Sequence, residues 1–191
     1  AVVEINAETD FVARNEMFQA FVSDIVKLAA SDSIYNDRTD LLENASYQNG
    51  TVLGVRQNLI ATIGENISMR RVKVLSVLQG IIATYVHNAV APNLGQIGVL
   101  VAMESPAPAD KLAELGKQLA MQVAAARPEA LSIANVDSKA LDRERNVLAD
   151  QARASGKPEA IIAKMVEGRL RKYYEEVVLT EQIFVIDGES R

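Results

Sequence analysis

The sequence of 191 residues contains no cysteine, no tryptophan and a single histidine, His87. Without cysteine, a disulfide scaffold and catalysis by a thiol nucleophile are both excluded. One imidazole without any thiolate cannot assemble the ligand sets of structural zinc, iron–sulfur or zinc-hydrolase sites. We therefore predict a protein that folds around an apolar core and carries no metal.

An excess of positive charge is also missing. The chain has 20 Lys and Arg against 25 Asp and Glu, which gives a net charge of -5. Such a chain offers no uniform positive field for a phosphate backbone, and its apolar runs are too short to cross a bilayer. We expect a protein partner, no direct nucleic-acid contact and no membrane, with the cytoplasm as compartment and an organelle matrix left open.

Motifs that carry catalysis or nucleotide binding are absent as well. There is no Gly-x-Ser-x-Gly elbow and no His-Glu-x-x-His pair, and Gly156-Lys157 is followed by Pro158 where a phosphate-binding loop needs Ser or Thr. We predict no enzyme and no cofactor. An enzyme using carboxylates such as Glu65 or Asp10 is the rival hypothesis, although no paired geometry can be read from the sequence.

The apolar residues of the first half predict both strands and helices. Residues 2–7 alternate at period two and predict a strand, and Asn15 is a predicted N-cap. The helix that it begins has an apolar stripe of Phe18, Phe21, Val22, Ile25, Leu28 and Ala29. A second helix is predicted over residues 52–63 and ends at Gly64, with a short helix near 40–45 between them.

Further strands are predicted over residues 67–78, 81–86 and 95–103. The first two would pair through a turn at residues 79–80, and strands so close in sequence predict an antiparallel sheet. The Ser-Pro-Ala-Pro-Ala break at residues 105–109 predicts a boundary between subdomains 1–103 and 104–191.

The second half is predicted to be mainly helical. Asp110 is expected to cap a helix that runs to about residue 126. Two charged helices, at 137–154 and 158–174, flank Ser155-Gly156-Lys157-Pro158 and predict a protruding antiparallel hairpin. Their narrow apolar stripes consist of Leu141 and Leu148 on one arm and Ile162, Val166, Leu170 and Tyr173 on the other. The predicted fold class is α+β, with packed helices and an antiparallel sheet in two subdomains.

The turn Thr9-Asp10-Phe11-Val12 places a carboxylate beside an aromatic ring. In one interpretation Thr9 or Asp10 caps a helix, and Phe11, seven residues before Phe18, extends its buried stripe. In the other the ring binds a partner. The residues alone favour the structural interpretation.

Two further segments are candidate binding positions. Ile63 and Gly64 lie where a helix end meets a strand, although a C-cap glycine explains them structurally, with Arg70 and Arg71 as solvated positions nearby. His87 lies in a stretch predicted to be a loop. A lone histidine there is an ordinary surface residue or an anchor for a protein contact.

In this order and spacing, several motifs together resemble translation elongation factor Ts, over nearly the whole chain. They are TDFVA at 9–13, IGENI at 63–67 with RRV at 70–72, IGVLVA at 97–102, SGKP at 155–158 with KMVEGR at 164–169, and LTEQIFV at 179–185.

The resemblance implies a guanine-nucleotide exchange factor that speeds GDP release from elongation factor Tu. It implies that the turn enters the GTPase, with Phe11 as a wedge near the magnesium site and Asp10 fixing the wedge and its helix. It also implies partner contacts at Ile63, Gly64 and His87, and it associates the hairpin region with dimerisation. A self-contained helix pair is the equal alternative for the hairpin.

Relative to that family, an N-terminal helical domain and a final sheet segment beyond Arg191 are missing from the sequence. The first residues, Ala-Val-Val-Glu-Ile, read as a strand without an initial Met, so we expect a piece of a longer protein with weaker binding and exchange. The rival to the exchange hypothesis is a structural adaptor that uses the helical hairpin. In that case Phe11→Ala would have no effect on GDP release.

Overall fold

A computed structural model describes residues 1–154, 156 and 158–191. Contacts divide the chain into two compact units, residues 1–121 and 122–191. Of the predicted hairpin connection, Ser155 and Lys157 lie outside the described residues. The structure mixes helices with small antiparallel sheets, as the predicted α+β class requires. The subdomain boundary at 103/104 stays a prediction.

The first unit contains the strands and most of the shorter helices. In chain order these are β1 (Val2–Asn6), α1 (Asp10–Ala13), α2 (Glu16–Ala30), α3 (Thr39–Asn44), β2 (Ser46–Tyr47), β3 (Gly50–Thr51), α4 (Val52–Ile63), β4 (Ser68–Lys73), β5 (Gly80–Ala91) and β6 (Leu94–Glu104). The helix α5 (Ala109–Ala126) begins in this unit.

Helix α2 begins where the sequence predicts it. The Asn15 side chain accepts hydrogen bonds from the backbone N–H groups of Met17 and Phe18, which satisfies two donors that lack partners within the helix. The predicted stripe then turns inward, and Phe21 and Ile25 are almost completely buried. They form the core of this unit with Ala29, Leu42, Val52 and Val72.

The pairing predicted between residues 67–78 and 81–86 is wrong. Strand β4 pairs antiparallel with β1, and β5 pairs with β6 through the turn at residues 91–94. Over the described residues the strands form three separate two-stranded sheets, not one. Val72 of β4 is buried in the α2 core, and its partner Val3 of β1 packs against the same core, so this pairing covers the apolar faces of both strands.

The start of α5 also differs from the prediction. The helix begins at Ala109, and the carbonyl of Pro108 accepts the backbone N–H of Leu112. Asp110 lies inside the first turn and is not the cap. Gly116 of α5 packs closely against β5 and β6. A Cβ at this position would lie only 2.6 Å from the Cβ of Ala83. A larger residue would push the helix away from the strands.

The second unit comprises the end of α5 together with α6 (Ser138–Arg153) and α7 (Glu159–Val177). Asp137 caps α6 by accepting from the backbone N–H groups of Lys139 and Ala140. Helices α6 and α7 share an apolar cluster of Leu148, Ala152, Ile162, Val166 and Leu170, with Leu141 and Tyr174 at its edge. Tyr174, not the predicted Tyr173, packs against this cluster.

The apolar run at residues 182–186 also predicts a strand from the sequence, and this prediction is wrong. A 3-10 turn (Leu179–Glu181) precedes these residues, and they run as irregular chain into a turn. The buried side chain of Gln182 donates to the carbonyls of Ala126 and Glu176 and accepts from Gln122. The backbone of the segment finds partners outside any ladder, since the Gln182 N–H donates to the Val178 carbonyl and the Val185 N–H donates to Gln122 Oε1.

Candidate functional site

The aromatic ring of Phe11 is 87% exposed, although the next residue, Val12, is only 4% exposed. Val12 packs in a cluster with Phe18 and Ile67, which anchors the short helix α1 to the body of the first unit. The structural interpretation of Phe11 as an extension of the buried α2 stripe is therefore wrong. A ring of this size left in water next to a fixed backbone is a feature of contact surfaces.

Asp10 lies in the first turn of α1 and is exposed. Thr9 occupies the N-cap position in extended conformation, but its side chain makes no capping hydrogen bond. The Thr9 hydroxyl donates instead to Glu65 Oε1 over 2.7 Å, and the Thr9 backbone N–H donates to Glu65 Oε2 over 3.0 Å. The predicted capping role of Thr9 or Asp10 is thus replaced by a bond to a distant segment.

The segment at residues 63–67 adjoins the turn. Gly64 ends α4 in the left-handed conformation, with φ of 83°, and its N–H donates to the Ile60 carbonyl. This is the predicted C-cap. Ile63 is half-buried and packs against the cluster that holds Val12. The structure therefore brings Ile63, next to Gly64, against Val12 of the turn that also carries Thr9, Asp10 and Phe11.

Arg56 of α4 fixes the far end of this segment. Its Nη1 donates to the Ile67 carbonyl over 2.6 Å, and its Nη2 pairs with Glu43 over 2.8 Å. Both side chains of the ion pair are mostly buried, and the buried Nε of Arg56 has no hydrogen-bond partner. Ile67 is completely buried. The loop carrying Glu65 is thus tied down on both sides.

Arg70 and Arg71, the predicted solvated positions, are exposed on β4. Arg71 pairs with Glu4 on the neighbouring strand β1. Partial burial raises the pKa of Glu4, but hydrogen bonds from Arg71 and Asn6 outweigh it and hold this pKa below its ordinary value. This pair stabilises the short β1–β4 sheet that leads into the turn.

The prediction that His87 lies in a loop is wrong. His87 is an exposed residue of β5, opposite Ile97 on β6, and its Nδ1 lies 3.1 Å from the Tyr85 hydroxyl. The β5–β6 ladder extends past His87 to the Ala91–Leu94 pair, so the stretch predicted to be a loop is part of a strand. The contacts that tie Ile63 and Gly64 to the turn do not include His87.

Sequence reasoning considered Glu65 only as a candidate catalytic carboxylate and gave no role to Arg56. Both act on partners far along the chain, since Glu65 is 56 residues from Thr9. No local spacing rule reports such a bond. The one available signal was the position of Glu65 directly after the C-cap Gly64, where side chains emerge from a fixed backbone.

The second unit has an open pocket of about 380 Å³, lined by Ala126, Glu175, Glu176, Gln182 and Ile183. Glu175 is paired with Arg191, and Gln182 is committed to carbonyls. Among the described residues, no three His, Asp or Glu side chains gather as a potential metal site. Glu175 and Gln182 thus already have partners within the chain, and the exposed turn of the first unit is the stronger candidate site.

These features define an α+β protein whose candidate site is an exposed, anchored aromatic turn. The sequence model of the family described as Elongation factor TS matches residues 8–191. The chain belongs to the elongation factor Ts family.

Curated relatives support the same assignment. Elongation factor Ts of Rhodospirillum centenum is 60% identical over 193 residues, and that of Rhodospirillum rubrum is 59% identical over 196 residues. Elongation factor Ts of Gluconobacter oxydans is 57% identical over 192 residues. The alignments cover 100% of this chain but 62%, 62% and 63% of the respective relatives, so the chain spans less than two thirds of their length.

In the described part of the chain, no helix combines the length and apolar character needed to cross a membrane.

Proposed function

We propose that the chain acts in translation elongation as a guanine-nucleotide exchange factor, promoting GDP release from elongation factor Tu in the cytoplasm. Membership of the elongation factor Ts family supports this proposal. The observation that carries it is the 87% exposure of Phe11 on a turn whose neighbour Val12 is buried. Burying an apolar ring that is held outward in this way against a partner lowers the free energy of the complex.

In the proposed mechanism, Phe11 inserts between packed side chains of the GTPase. Packed interiors respond to such insertion by switching between discrete arrangements, so a small shift is transmitted to the groups that hold magnesium and phosphate. Asp10 makes polar contacts that orient the inserted turn. Thr9 and Val12 belong to the same partner-binding turn, which the buried side chain of Val12 anchors, and Ile63 and Gly64 contact the partner beside it. His87 provides a contact from β5.

Nucleotide release follows from thermodynamic linkage. A protein that binds the nucleotide-free GTPase more tightly than the loaded form must weaken nucleotide binding by the same factor. The chain then performs no bond chemistry and needs no cofactor. The nucleotide supply determines whether GDP or GTP rebinds.

The proposal extends to the second unit. We infer that α6 and α7 form a protruding antiparallel hairpin, which is supported by their shared apolar cluster. Val147 and Ile161 on these helices remain about half exposed, which suits a contact with a second copy of the chain. Sedimentation velocity of the parent and of a Val147→Ser, Ile161→Ser variant tests this homodimer. Equal masses for both would refute it.

Equilibrium binding distinguishes exchange from the adaptor alternative. We expect the chain to bind nucleotide-free elongation factor Tu at least about fivefold more tightly than the GDP-loaded form, because coupling free energies between linked sites are usually about 1–3 kcal/mol. An adaptor acting through the helical hairpin would bind both forms equally. Equal affinities would therefore contradict the exchange proposal.

A further inference from the structure

One carboxylate joins the Phe11 turn to the loop after α4. Glu65 accepts the backbone N–H of Thr9 at Oε2 and the hydroxyl of the same residue at Oε1, over 3.0 and 2.7 Å. The two oxygens thus hold one residue by its main chain and by its side chain. Such bidentate bonding fixes orientation as well as distance.

The loop that carries Glu65 is itself fixed. On one side the Gly64 N–H donates to the Ile60 carbonyl over 2.8 Å, and on the other the Ile67 carbonyl accepts from Arg56. Glu65 is half-buried between these points. The carboxylate therefore has a defined position to which Thr9 is attached.

Thr9 in turn determines the direction of α1. It is the residue directly before the helix and has extended dihedral angles, φ -128° and ψ 156°, without a side-chain cap. Helix α1 has only four residues, too few to hold its own orientation. Its direction depends on Val12 in the core and on Thr9 at its entry.

We propose that Glu65 is a positioning residue, whose carboxylate clamps Thr9 and holds the turn in the conformation that presents Phe11 to the partner. The inference rests on the proposed function for its consequence, since a looser turn would populate the binding-competent conformation less often. The apparent affinity for the partner falls in proportion to the population of that conformation. The rate of GDP release within the assembled complex stays the same.

The absence of tryptophan allows the clamp to be tested without any partner. A Phe11→Trp variant carries a single tryptophan, whose emission anisotropy reports the mobility of the ring position. Adding Glu65→Ala or Thr9→Val should lower this anisotropy. Glu114→Ala, which removes an exposed carboxylate from α5, is the matched control and should not. Unchanged anisotropy in both clamp variants overturns the inference.

GDP release from elongation factor Tu tests the consequence, using chains that retain Phe11. We expect Glu65→Ala, which removes both charge-assisted hydrogen bonds to Thr9, to raise the concentration for half-maximal acceleration about fivefold, with the maximal rate kept. Thr9→Val removes only the hydroxyl bond and should raise this concentration by a smaller factor. The double variant should resemble Glu65→Ala, because Thr9 then has no carboxylate left to bond. Additive effects would mean that the two residues act independently, and would overturn the clamp.

Glu65→Gln separates hydrogen bonding from charge, because it keeps one acceptor oxygen and loses the charge. An intermediate half-maximal concentration is expected. If Gln behaves like Ala while Thr9→Val behaves like the parent, Glu65 acts as a charge on the partner and the clamp is wrong. If the parent chain does not accelerate release, the proposed function fails, and if Phe11→Ala accelerates it as well as the parent does, the insertion of Phe11 fails. The anisotropy result decides the clamp in either case.

Discussion

At the scale of single residues, Phe11 and Val12 show how adjacent positions separate binding from folding. Val12 faces a closed cluster with Phe18 and Ile67, whereas the ring of Phe11 is almost fully exposed. The sequence could not distinguish them, since the seven-residue spacing from Phe11 to Phe18 suits a continuous buried stripe. Asn15 and Gly64 were predictable because caps depend on local backbone geometry alone.

Truncating the two side chains should have very different effects on stability. We expect Phe11→Ala to change the free energy of unfolding by less than about 0.5 kcal/mol, as exposed substitutions do. Val12→Ala should reduce it by about 1.5–3 kcal/mol, because it removes two buried methyl groups and leaves a cavity. Urea unfolding followed by circular dichroism measures both. A larger loss for Phe11→Ala would contradict the exposed position of its ring.

Gly64 offers a test of backbone conformation beside the turn. Its φ of 83° is unfavourable for a residue with a Cβ, although a Cβ at this position would have no other atom within 4 Å to clash with. Gly64→Ala should therefore destabilise the chain by about 1–2 kcal/mol through strain alone. Gly64→Asn should cost less, since asparagine tolerates this conformation. Equal losses in thermal or urea unfolding would indicate a steric cause instead.

At the scale of elements, helix ends were easier to predict than strand partners. The ends of α2 and α4 follow from Asn15 and Gly64, which lie next to the helices that they bound. The partner of β4 is β1, which lies more than sixty residues earlier, as the Val3–Val72 pairing shows. The choice of partner depends on which face of β4 the α2 core covers. Period-two alternation indicates only that these residues form a strand. The nearest strand in sequence was therefore the wrong partner.

In the second unit, a buried amide connects three segments. Gln182 is 5% exposed and bonds to Gln122 and to the carbonyls of Ala126 and Glu176. We expect Gln182→Ala to destabilise the chain by about 2–3 kcal/mol, because it leaves buried polar groups without partners. Gln151→Ala, which removes an exposed bond to Arg169, should change stability by less than about 0.5 kcal/mol. Similar losses for both would refute this role of Gln182.

At the scale of the whole molecule, the net charge of -5 fits a surface on which carboxylates outnumber cations. Composition could exclude thiol chemistry and the thiolate and imidazole ligand sets of zinc and iron–sulfur sites, but it could not locate the candidate site. The candidate site was recognised from motifs that resemble a family, and the structure joins two of them through Thr9 and Glu65. All the residues of this contact lie in the first unit.

Stability in acid should depend on Asp40. The Arg38 guanidinium bonds both of its carboxylate oxygens and lowers the pKa of Asp40 from 3.8 to about 2. Because the folded pKa is the lower one, this stabilisation is complete above about pH 4 and is lost as the pH falls towards about 2. Asp40→Asn should therefore lose less stability over this window than the parent. Identical pH dependence of thermal unfolding would contradict the pairing.

The most direct test of the central claim is the rate of fluorescent GDP release from elongation factor Tu, measured with the parent chain, with Phe11→Ala and with Leu78→Ala. Leu78 is a fully exposed apolar residue of the same unit and serves as the matched control. We expect the parent and Leu78→Ala to accelerate release equally, and Phe11→Ala to lose at least about tenfold of that acceleration while remaining folded, as truncation of a binding hot spot does. Equal acceleration by Phe11→Ala and the parent would contradict the account.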